Sequence, residues 1–159
     1  MTIETGQSVP EATFMTMSAD GPAPISGSDL FSGKRVVLFA VPGAYTPTCS
    51  AKHLPGFKEH AADFKAKGVD TVACTSVNDV FVMDAWGRDQ EADDVVMLAD
   101  GNGAFAKALG LEMDGTAYGM GTRSQRYAMV VNDGKVEQLF VEGPGEFKVS
   151  SAEHVLENL

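Results

Sequence analysis

The sequence predicts an α/β fold in which a mixed central β-sheet is flanked by helices. Short apolar runs alternate with segments of helical periodicity, and a hairpin signal follows near the carboxyl terminus. Strands that alternate with helices usually pair in parallel, whereas a hairpin adds an antiparallel pair, so the sheet should be mixed. The 159 residues are enough for one domain with a sizeable core, and we expect residues 1–159 to form a single domain.

Three short apolar runs predict buried strands. The first covers residues 36–41 and ends at Pro42-Gly43. Unbroken apolar runs of this length are typical of strands that are buried on both faces. Residues 69–75 and 95–99 have the same character, and we predict a strand for each of them.

The longest predicted helix runs from about residue 48 to residue 67, where apolar side chains recur at steps of three and four. Pro55 lies inside this segment and has no backbone donor, so we expect a kink there. Two shorter helices are predicted. Asp79 can cap the first, which extends to about Trp86, and the second covers residues 104–109.

The carboxyl-terminal part predicts a hairpin and a closing helix. Residues 127–131 and 135–142 are largely apolar and flank Asp133-Gly134, which is a strong hairpin signal. Residues 150–153 have the Ser-x-x-Glu spacing of a capping box, and this predicts a final helix over residues 152–159.

Composition and charge exclude several kinds of partner. The formal net charge of −10 should repel nucleic acids and anionic membranes. No apolar stretch approaches the length of a membrane span, and the amino terminus shows no secretory signal. Two cysteines without a C-x-x-C motif are too few for a disulfide scaffold, and the three histidines have no zinc-ligand spacing. We therefore expect a cytoplasmic protein without metal or other cofactor.

The most informative segment contains Cys49. It follows a predicted buried strand and leads into the longest helix, so Cys49 should lie in the first helical turn. Free backbone N–H groups and the helix dipole at that position would stabilise a thiolate, which is the reactive form of cysteine. Thr46 precedes Cys49 by three residues, so its hydroxyl can donate to the thiolate and accept from a substrate. Pro42 can shield the site from water.

Pro42, Thr46 and Cys49 form a Pro-x-x-x-Thr-x-x-Cys string that resembles the active-site motif of the peroxiredoxin family. The longer string PGAYTPTCSAKHLPGF is similar to the type II, or type-five, subfamily. The resemblance continues through CTSVNDVFVMDAWG and RYAMVVNDGKVEQLFVE, and so covers nearly the whole chain. It implies a thioredoxin-like fold and a homodimer. It also implies a thiol-dependent peroxidase that reduces hydrogen peroxide and organic hydroperoxides, with antioxidant defence as its role.

The same resemblance assigns roles within the site. It implies that Cys49 is the peroxidatic cysteine, which a peroxide oxidises to a sulfenic acid, and that Arg126 completes the site. A guanidinium is permanently charged, so it can stabilise a thiolate and also contact peroxide oxygens. Arg123 is a second candidate for this role.

The number and positions of the cysteines indicate which thiol reduces the oxidised Cys49. Some relatives carry a resolving cysteine in the carboxyl-terminal region, but residues 147–152 contain none here. This departure favours a one-cysteine cycle with an external thiol, and glutathione with glutaredoxin is favoured over thioredoxin. Cys74 is interpreted as a buried structural thiol, and a resolving role is its alternative.

Two other functions fit parts of the same sequence. A cysteine hydrolase would need a base near Cys49, and His53, four residues later, is the candidate, although a structural histidine fits this position equally. A redox sensor or holdase would oxidise at Cys49 without turning over.

Overall fold

A computed structural model describes residues 1–159, and its central feature is one seven-stranded sheet. The strands are β1 Thr13–Ser18, β2 Gly21–Ser26, β3 Arg35–Ala40, β4 Thr71–Ser76, β5 Val96–Ala99, β6 Glu112–Asp114, β7 Thr122–Ser124, β8 Tyr127–Asn132 and β9 Lys135–Val141. The helices are α1 Gly27–Phe31, α2 Leu54–Glu59, α3 Ala61–Ala66, α4 Val80–Asp89, α5 Ala104–Leu109 and α6 Ala152–Glu157. A π-helical turn covers Cys49–His53, and a 3₁₀ turn covers Thr116–Tyr118.

The sheet is mixed, as the sequence predicts. Its strand order is β2-β1-β5-β4-β3-β8-β9, and β6 and β7 form a separate small sheet. The central strands β3, β4 and β5 are parallel, whereas β8 and β9 on one side and β1 and β2 on the other pair antiparallel. No helix of the structure is long and apolar enough to cross a membrane.

Apolar clusters cover both faces of the sheet, and this explains the unbroken apolar run in β3. Val37 and Phe39 belong to a cluster that also contains Cys49 and Trp86. Leu38, on the opposite face, packs in the second cluster. Successive strand residues point to opposite faces of the sheet. When both faces are covered, the side chains on each face are buried, and so the covered positions are apolar.

The single long helix predicted for residues 48–67 is wrong in detail, because the chain divides it into three pieces. In the π-helical turn, the Leu54 amide donates to the Cys49 carbonyl, one residue further back than in an α-helix. Pro55 falls in the first turn of α2, where a missing N–H is tolerated. One junction lies between the π-helical turn and α2, just before Pro55, and the other lies at His60, which leaves helical geometry between α2 and α3.

The predicted hairpin is confirmed, but the predicted capping box is not. Asp133 and Gly134 both have positive φ, 49° and 81°, as a two-residue turn between β8 and β9 requires. At α6 the cap is Ser151, whose Oγ accepts from the His154 amide at 3.2 Å. Ser150 is buried, and its hydroxyl donates to Glu142 instead. Either of the two adjacent serines could cap α6. Because Ser150 is buried and bonded to Glu142, Ser151 is the cap.

Candidate active site

The loop after β3 carries the cysteine motif, and neighbouring elements hold it in place. The Ala44 amide donates to Asn78 Oδ1 at 2.9 Å, and the Tyr45 hydroxyl donates to Asp89 Oδ2 at 2.7 Å. Tyr45 has a φ of 65°, which is uncommon for a residue with a side chain. These contacts tie the loop to α4 and to the turn before it, and they offset the strain at Tyr45.

Cys49 is fully buried, and two side chains donate to its sulfur. Thr46 Oγ1 lies 2.7 Å from Cys49 Sγ, and an Arg126 terminal nitrogen lies 3.1 Å from it. A buried anion is stable only when it is paired or hydrogen-bonded, and both conditions are met here. The structure therefore brings together a sulfur atom, a hydroxyl and a guanidinium from two distant parts of the chain.

The Thr46 hydroxyl has two acceptors but only one proton. It lies 2.7 Å from the Gly43 carbonyl oxygen as well as from Cys49 Sγ. When Cys49 is a thiol, the hydroxyl can donate to Gly43 while it accepts from the S–H group. When Cys49 is a thiolate, the hydroxyl proton can turn to the sulfur. Thr46 can thus serve both protonation states without movement of the backbone.

The expectation that first-turn amides stabilise the thiolate is not met by the hydrogen bonds of the structure. The Ser50 amide donates to the Thr46 carbonyl at 2.9 Å. Both donors to Cys49 Sγ are side chains. The Ser50 amide is therefore engaged by the backbone and is not available to the sulfur.

Arg126 immediately precedes β8, and its guanidinium is held from the far side. One terminal nitrogen contacts Cys49 Sγ, and the other donates to His53 Nδ1 at 2.9 Å. His53 Nε2 lies 2.9 Å from the Ser150 carbonyl oxygen, which only accepts, so the proton of the neutral ring is on Nε2. The ring of Phe147 also lies under the guanidinium, 5.9 Å from its carbon to the ring centre.

Burial lowers the pKa of His53 to about 3, and the Arg126 charge acts in the same direction. His53 is thus neutral at physiological pH, and both of its ring nitrogens are engaged away from the sulfur. A hydrolase would need a histidine that takes the proton of the nucleophile. His53 does not fulfil this role here, and its contact with Arg126 gives it another one, that of positioning the guanidinium.

The other sequence candidates lie around this centre. Arg123 donates to the Val77 and Met120 carbonyls at 3.0 and 2.8 Å and does not contact the sulfur. Pro42 is half-buried and lines a groove of about 600 Å³ together with Thr48 and Arg126. The rest of the groove wall carries several carboxylates. The groove borders the site on the guanidinium side, and Cys49 does not line it.

Cys74 lies in β4 and is fully buried in the same apolar cluster as Cys49. Burial raises the pKa of the Cys74 thiol well above its usual value. Its position matches that of Phe39 on the neighbouring strand β3. A protonated thiol inside a central strand is a poor partner for disulfide exchange, because the thiolate is the reactive form.

Comparisons with known proteins show the family to which this chain is similar. The Redoxin family model matches residues 4–156. Peroxiredoxin-2E, chloroplastic, of Arabidopsis thaliana is 46% identical over 99% of this chain and 69% of its own length. The chain belongs to the peroxiredoxin family. Peroxiredoxins are thiol-dependent peroxidases, so the chain is an oxidoreductase of this class.

Two further relatives extend the peroxiredoxin assignment. Hybrid peroxiredoxin hyPrx5 of Haemophilus influenzae is 44% identical over 97% of this chain, which spans 65% of that protein's length. The crystal structure of reduced Prx3 in complex with H₂O₂ from Vibrio vulnificus superimposes with a TM-score of 0.95, at 53% identity and 98% coverage of both chains. The thioredoxin-like fold expected from the motif is thereby confirmed.

The structure also brings into the site one residue for which the sequence allows two roles. His53 was equally compatible with a catalytic and a structural role, and the peroxiredoxin motif does not include it. Its spacing of four residues from Cys49 was the available signal, because this spacing places two side chains on one helical face. The partner, Arg126, lies 73 residues further along the chain, and no local pattern links the two.

The buried neutral state of His53 predicts a specific pH dependence of stability. The unfolded chain binds a proton at His53 below about pH 6.5, whereas the folded protein resists this down to about pH 3. Unfolding therefore takes up a proton in this range, and the free energy of unfolding falls as the pH falls from 6.5 towards 3. Between pH 7 and pH 5, the wild type should lose about 2 kcal/mol more than the His53→Gln variant.

Urea unfolding of both proteins at the two pH values measures this difference. The variant is the control for the carboxylates. They titrate in both proteins, so their effect on stability cancels in the difference between the two. An identical loss of stability in the two proteins would show that His53 takes up its proton over the same pH range in the folded and the unfolded state.

Proposed function

We propose that the chain reduces hydrogen peroxide and organic hydroperoxides by direct attack of the Cys49 thiolate, and that glutathione with glutaredoxin returns the cysteine to its reduced state. The observation that carries this proposal is the pair of donors at Cys49 Sγ, Thr46 at 2.7 Å and Arg126 at 3.1 Å. These groups stabilise the nucleophile and lie where the oxygens of a peroxide would meet the sulfur.

The proposed reaction transfers two electrons from sulfur to the O–O bond. The thiolate attacks one peroxide oxygen in line with that bond, and an S–O bond forms while the O–O bond breaks. Arg126 and Thr46 stabilise negative charge on the leaving oxygen, which takes a proton and departs as water or alcohol. Cys49 is left as a sulfenic acid. Pro42, on the groove wall, limits the access of water and offers no N–H that would compete for the substrate.

The number and burial of the cysteines favour a thiol from another molecule as the reductant of oxidised Cys49. The chain has two cysteines, and Cys74 is a buried thiol within a central strand. A groove of about 600 Å³ beside Arg126 falls in the usual range for small ligands and would admit a tripeptide thiol. Glutathione would condense with the sulfenic acid and release water, and a glutaredoxin thiolate would then attack the mixed disulfide.

The proposal also covers the domain organisation, the cellular compartment and the oligomeric state of the chain. Residues 1–159 would act as one domain in a reducing compartment, with the cytoplasm favoured because both cysteines are free thiols. A homodimer is supported by two exposed aromatic side chains, Tyr45 in the loop that carries Cys49, at 49% exposure, and Phe81 in α4, at 64% exposure.

Turnover with two reductant systems tests the proposed function directly. Peroxide consumption should be faster with glutathione and glutaredoxin than with thioredoxin, and the Cys49→Ser variant should consume no peroxide in either. The reason is that serine keeps the shape of the side chain but has no accessible anion at neutral pH. Near-native turnover of the variant would refute Cys49 as the nucleophile, and faster turnover with thioredoxin would refute the proposed reductant.

The chemical state of Cys49 during the cycle gives a second test. After one equivalent of peroxide followed by glutathione, intact-protein mass spectrometry should show one glutathione per monomer, both in the wild type and in Cys74→Ser. Cys74→Ser should retain most of its turnover, because its thiol does not take part in the cycle. A mass loss of two hydrogens from the wild type, absent in Cys74→Ser, would instead identify an internal disulfide.

A further inference from the structure

Glu142 makes a set of contacts that the peroxidase reaction does not explain by itself. The residue directly follows β9 and is 7% exposed. Its Oε2 atom accepts the backbone amides of Lys148, Val149 and Ser150 at 2.8, 2.9 and 2.8 Å. The Ser150 hydroxyl adds a fourth hydrogen bond at 2.7 Å. One carboxylate oxygen thus organises a whole turn of the chain.

The ionised form of Glu142 is the one that suits these contacts. Burial alone would raise its pKa, but the Ser150 hydroxyl and the three amides outweigh this effect, and the pKa of Glu142 is lowered. Hydrogen bonds to a charged acceptor are about twice as strong as those between neutral groups. The turn at residues 148–150 is therefore fixed by charge-assisted bonds, and Ser151, the next residue, is fixed as the cap of α6.

This turn supplies the acceptor that orients His53. The Ser150 carbonyl oxygen lies 2.9 Å from His53 Nε2, so the ring proton stays on Nε2 and leaves Nδ1 free to accept. Arg126 donates to Nδ1 at 2.9 Å and places its other terminal nitrogen 3.1 Å from Cys49 Sγ. If Ser150 moved, the ring proton could shift to Nδ1, where it would face the N–H of Arg126 and repel it.

Glu142 also supports Arg126 through the backbone. The Glu142 amide donates to the Arg126 carbonyl oxygen at 3.0 Å. Residue 142 thus contacts the main chain of Arg126 directly and its guanidinium through two intermediates. Both the position of the arginine and the direction of its side chain depend on this one residue.

We propose that Glu142 is a positioning residue of the peroxidatic site, which holds Arg126 against Cys49 through the turn at residues 148–150 and His53. The inference rests on the proposed role of Cys49 as the nucleophile. Glu142 itself does not contact peroxide in this proposal. The positioning role also explains why a negatively charged side chain is buried near a site whose proposed nucleophile is an anion. The Oε2 atom of Glu142 is directed to the turn at residues 148–150.

The rate of Cys49 oxidation is the quantity to measure, and the chain provides its own reporter. Trp86 is the sole tryptophan, and its indole N–H donates to the hydroxyl of Ser50, the neighbour of Cys49, at 3.0 Å. Stopped-flow fluorescence should therefore follow the reaction with hydrogen peroxide. We expect Glu142→Gln to react about tenfold more slowly than the wild type, as expected when one hydrogen bond to a charged group is weakened.

A matched control separates this effect from a general loss of carboxylates. Glu137 lies on β9, where it accepts from Arg35 at 3.0 Å and from Asn132 at 2.8 Å, away from the site. Glu137→Gln should change stability but keep the oxidation rate within about twofold of the wild type. An unchanged rate in Glu142→Gln, or an equal loss in both variants, would overturn the proposal.

A double-mutant cycle tests the route through Arg126. In an Arg126→Met background, Glu142→Gln should change the rate by less than about twofold, because the group that it positions is gone. A further tenfold loss in that background would show that Glu142 acts by another path and would overturn the proposal. If Glu142→Gln does not fold, Ser150→Ala, which removes one of the four bonds to Oε2, takes its place in the cycle with the same expectation of non-additivity.

The tautomer of His53 offers a readout that loop stability alone would not move. In the wild type, ¹⁵N NMR of the imidazole should show an unprotonated Nδ1, and Glu142→Gln should show a mixture of both tautomers. An unchanged tautomer in a slow Glu142→Gln variant would overturn the His53 step. Catalytic turnover by Cys49→Ser, in contrast, would refute the proposed nucleophile and would be distinguishable from every result above.

Discussion

The contact between the Arg126 guanidinium and the Cys49 sulfur is the interaction on which the rest of the site depends. Cys49 is fully buried, and an isolated anion in such a place would be strongly unfavourable. A permanent positive charge 3.1 Å away removes much of that penalty, and the Thr46 hydroxyl supplies a second donor. Without the Arg126 contact, a charged Cys49 sulfur would keep only the Thr46 donor, and the proposed attack on peroxide would lose its main stabilising group.

The fold brings this contact about by joining segments that are far apart in the chain. The loop after β3 supplies the cysteine and the threonine, whereas Arg126 comes from the start of β8. β3 and β8 are neighbours in the sheet, where Ala40 is paired with Tyr127, so the residues that follow one strand and precede the other meet at the same edge. The sheet therefore determines which arginine reaches the sulfur. Arg123, three residues earlier, is engaged by the Val77 and Met120 carbonyls.

The chemistry of peroxide reduction explains why hydrogen-bond donors lie around the sulfur, and why no base is needed beside it. A thiolate that attacks a peroxide needs stabilisation of its own charge and, later, of the charge on the departing oxygen. It does not need a histidine that shuttles its proton at each turn. His53 is accordingly buried and neutral, and it acts on the arginine instead of on the cysteine.

Local sequence patterns predicted the strands β3, β4, β5, β8 and β9, the helices α4, α5 and α6, and the motif. Long-range contacts account for the details that these patterns missed. The apolar run of β3, the Asp-Gly hairpin and the Asp79 cap depend on a few consecutive residues, so the sequence indicates them directly. The π-helical turn at Cys49 and the burial of Ser150 depend on packing against other parts of the chain. The same holds for the link between His53 and Arg126, which only the assembled sheet creates.

The second-order rate constant for oxidation of Cys49 by hydrogen peroxide in Arg126→Met tests the central claim most directly. Methionine keeps much of the aliphatic bulk but removes the charge and both donors, so the rate constant should fall by about 100-fold or more. Arg123→Met is the matched control, because it removes the same charge nearby without touching the sulfur, and its rate constant should stay close to that of the wild type. An Arg126→Met protein that reacts as fast as the wild type, or an Arg123→Met protein that is slowed equally, would contradict the account.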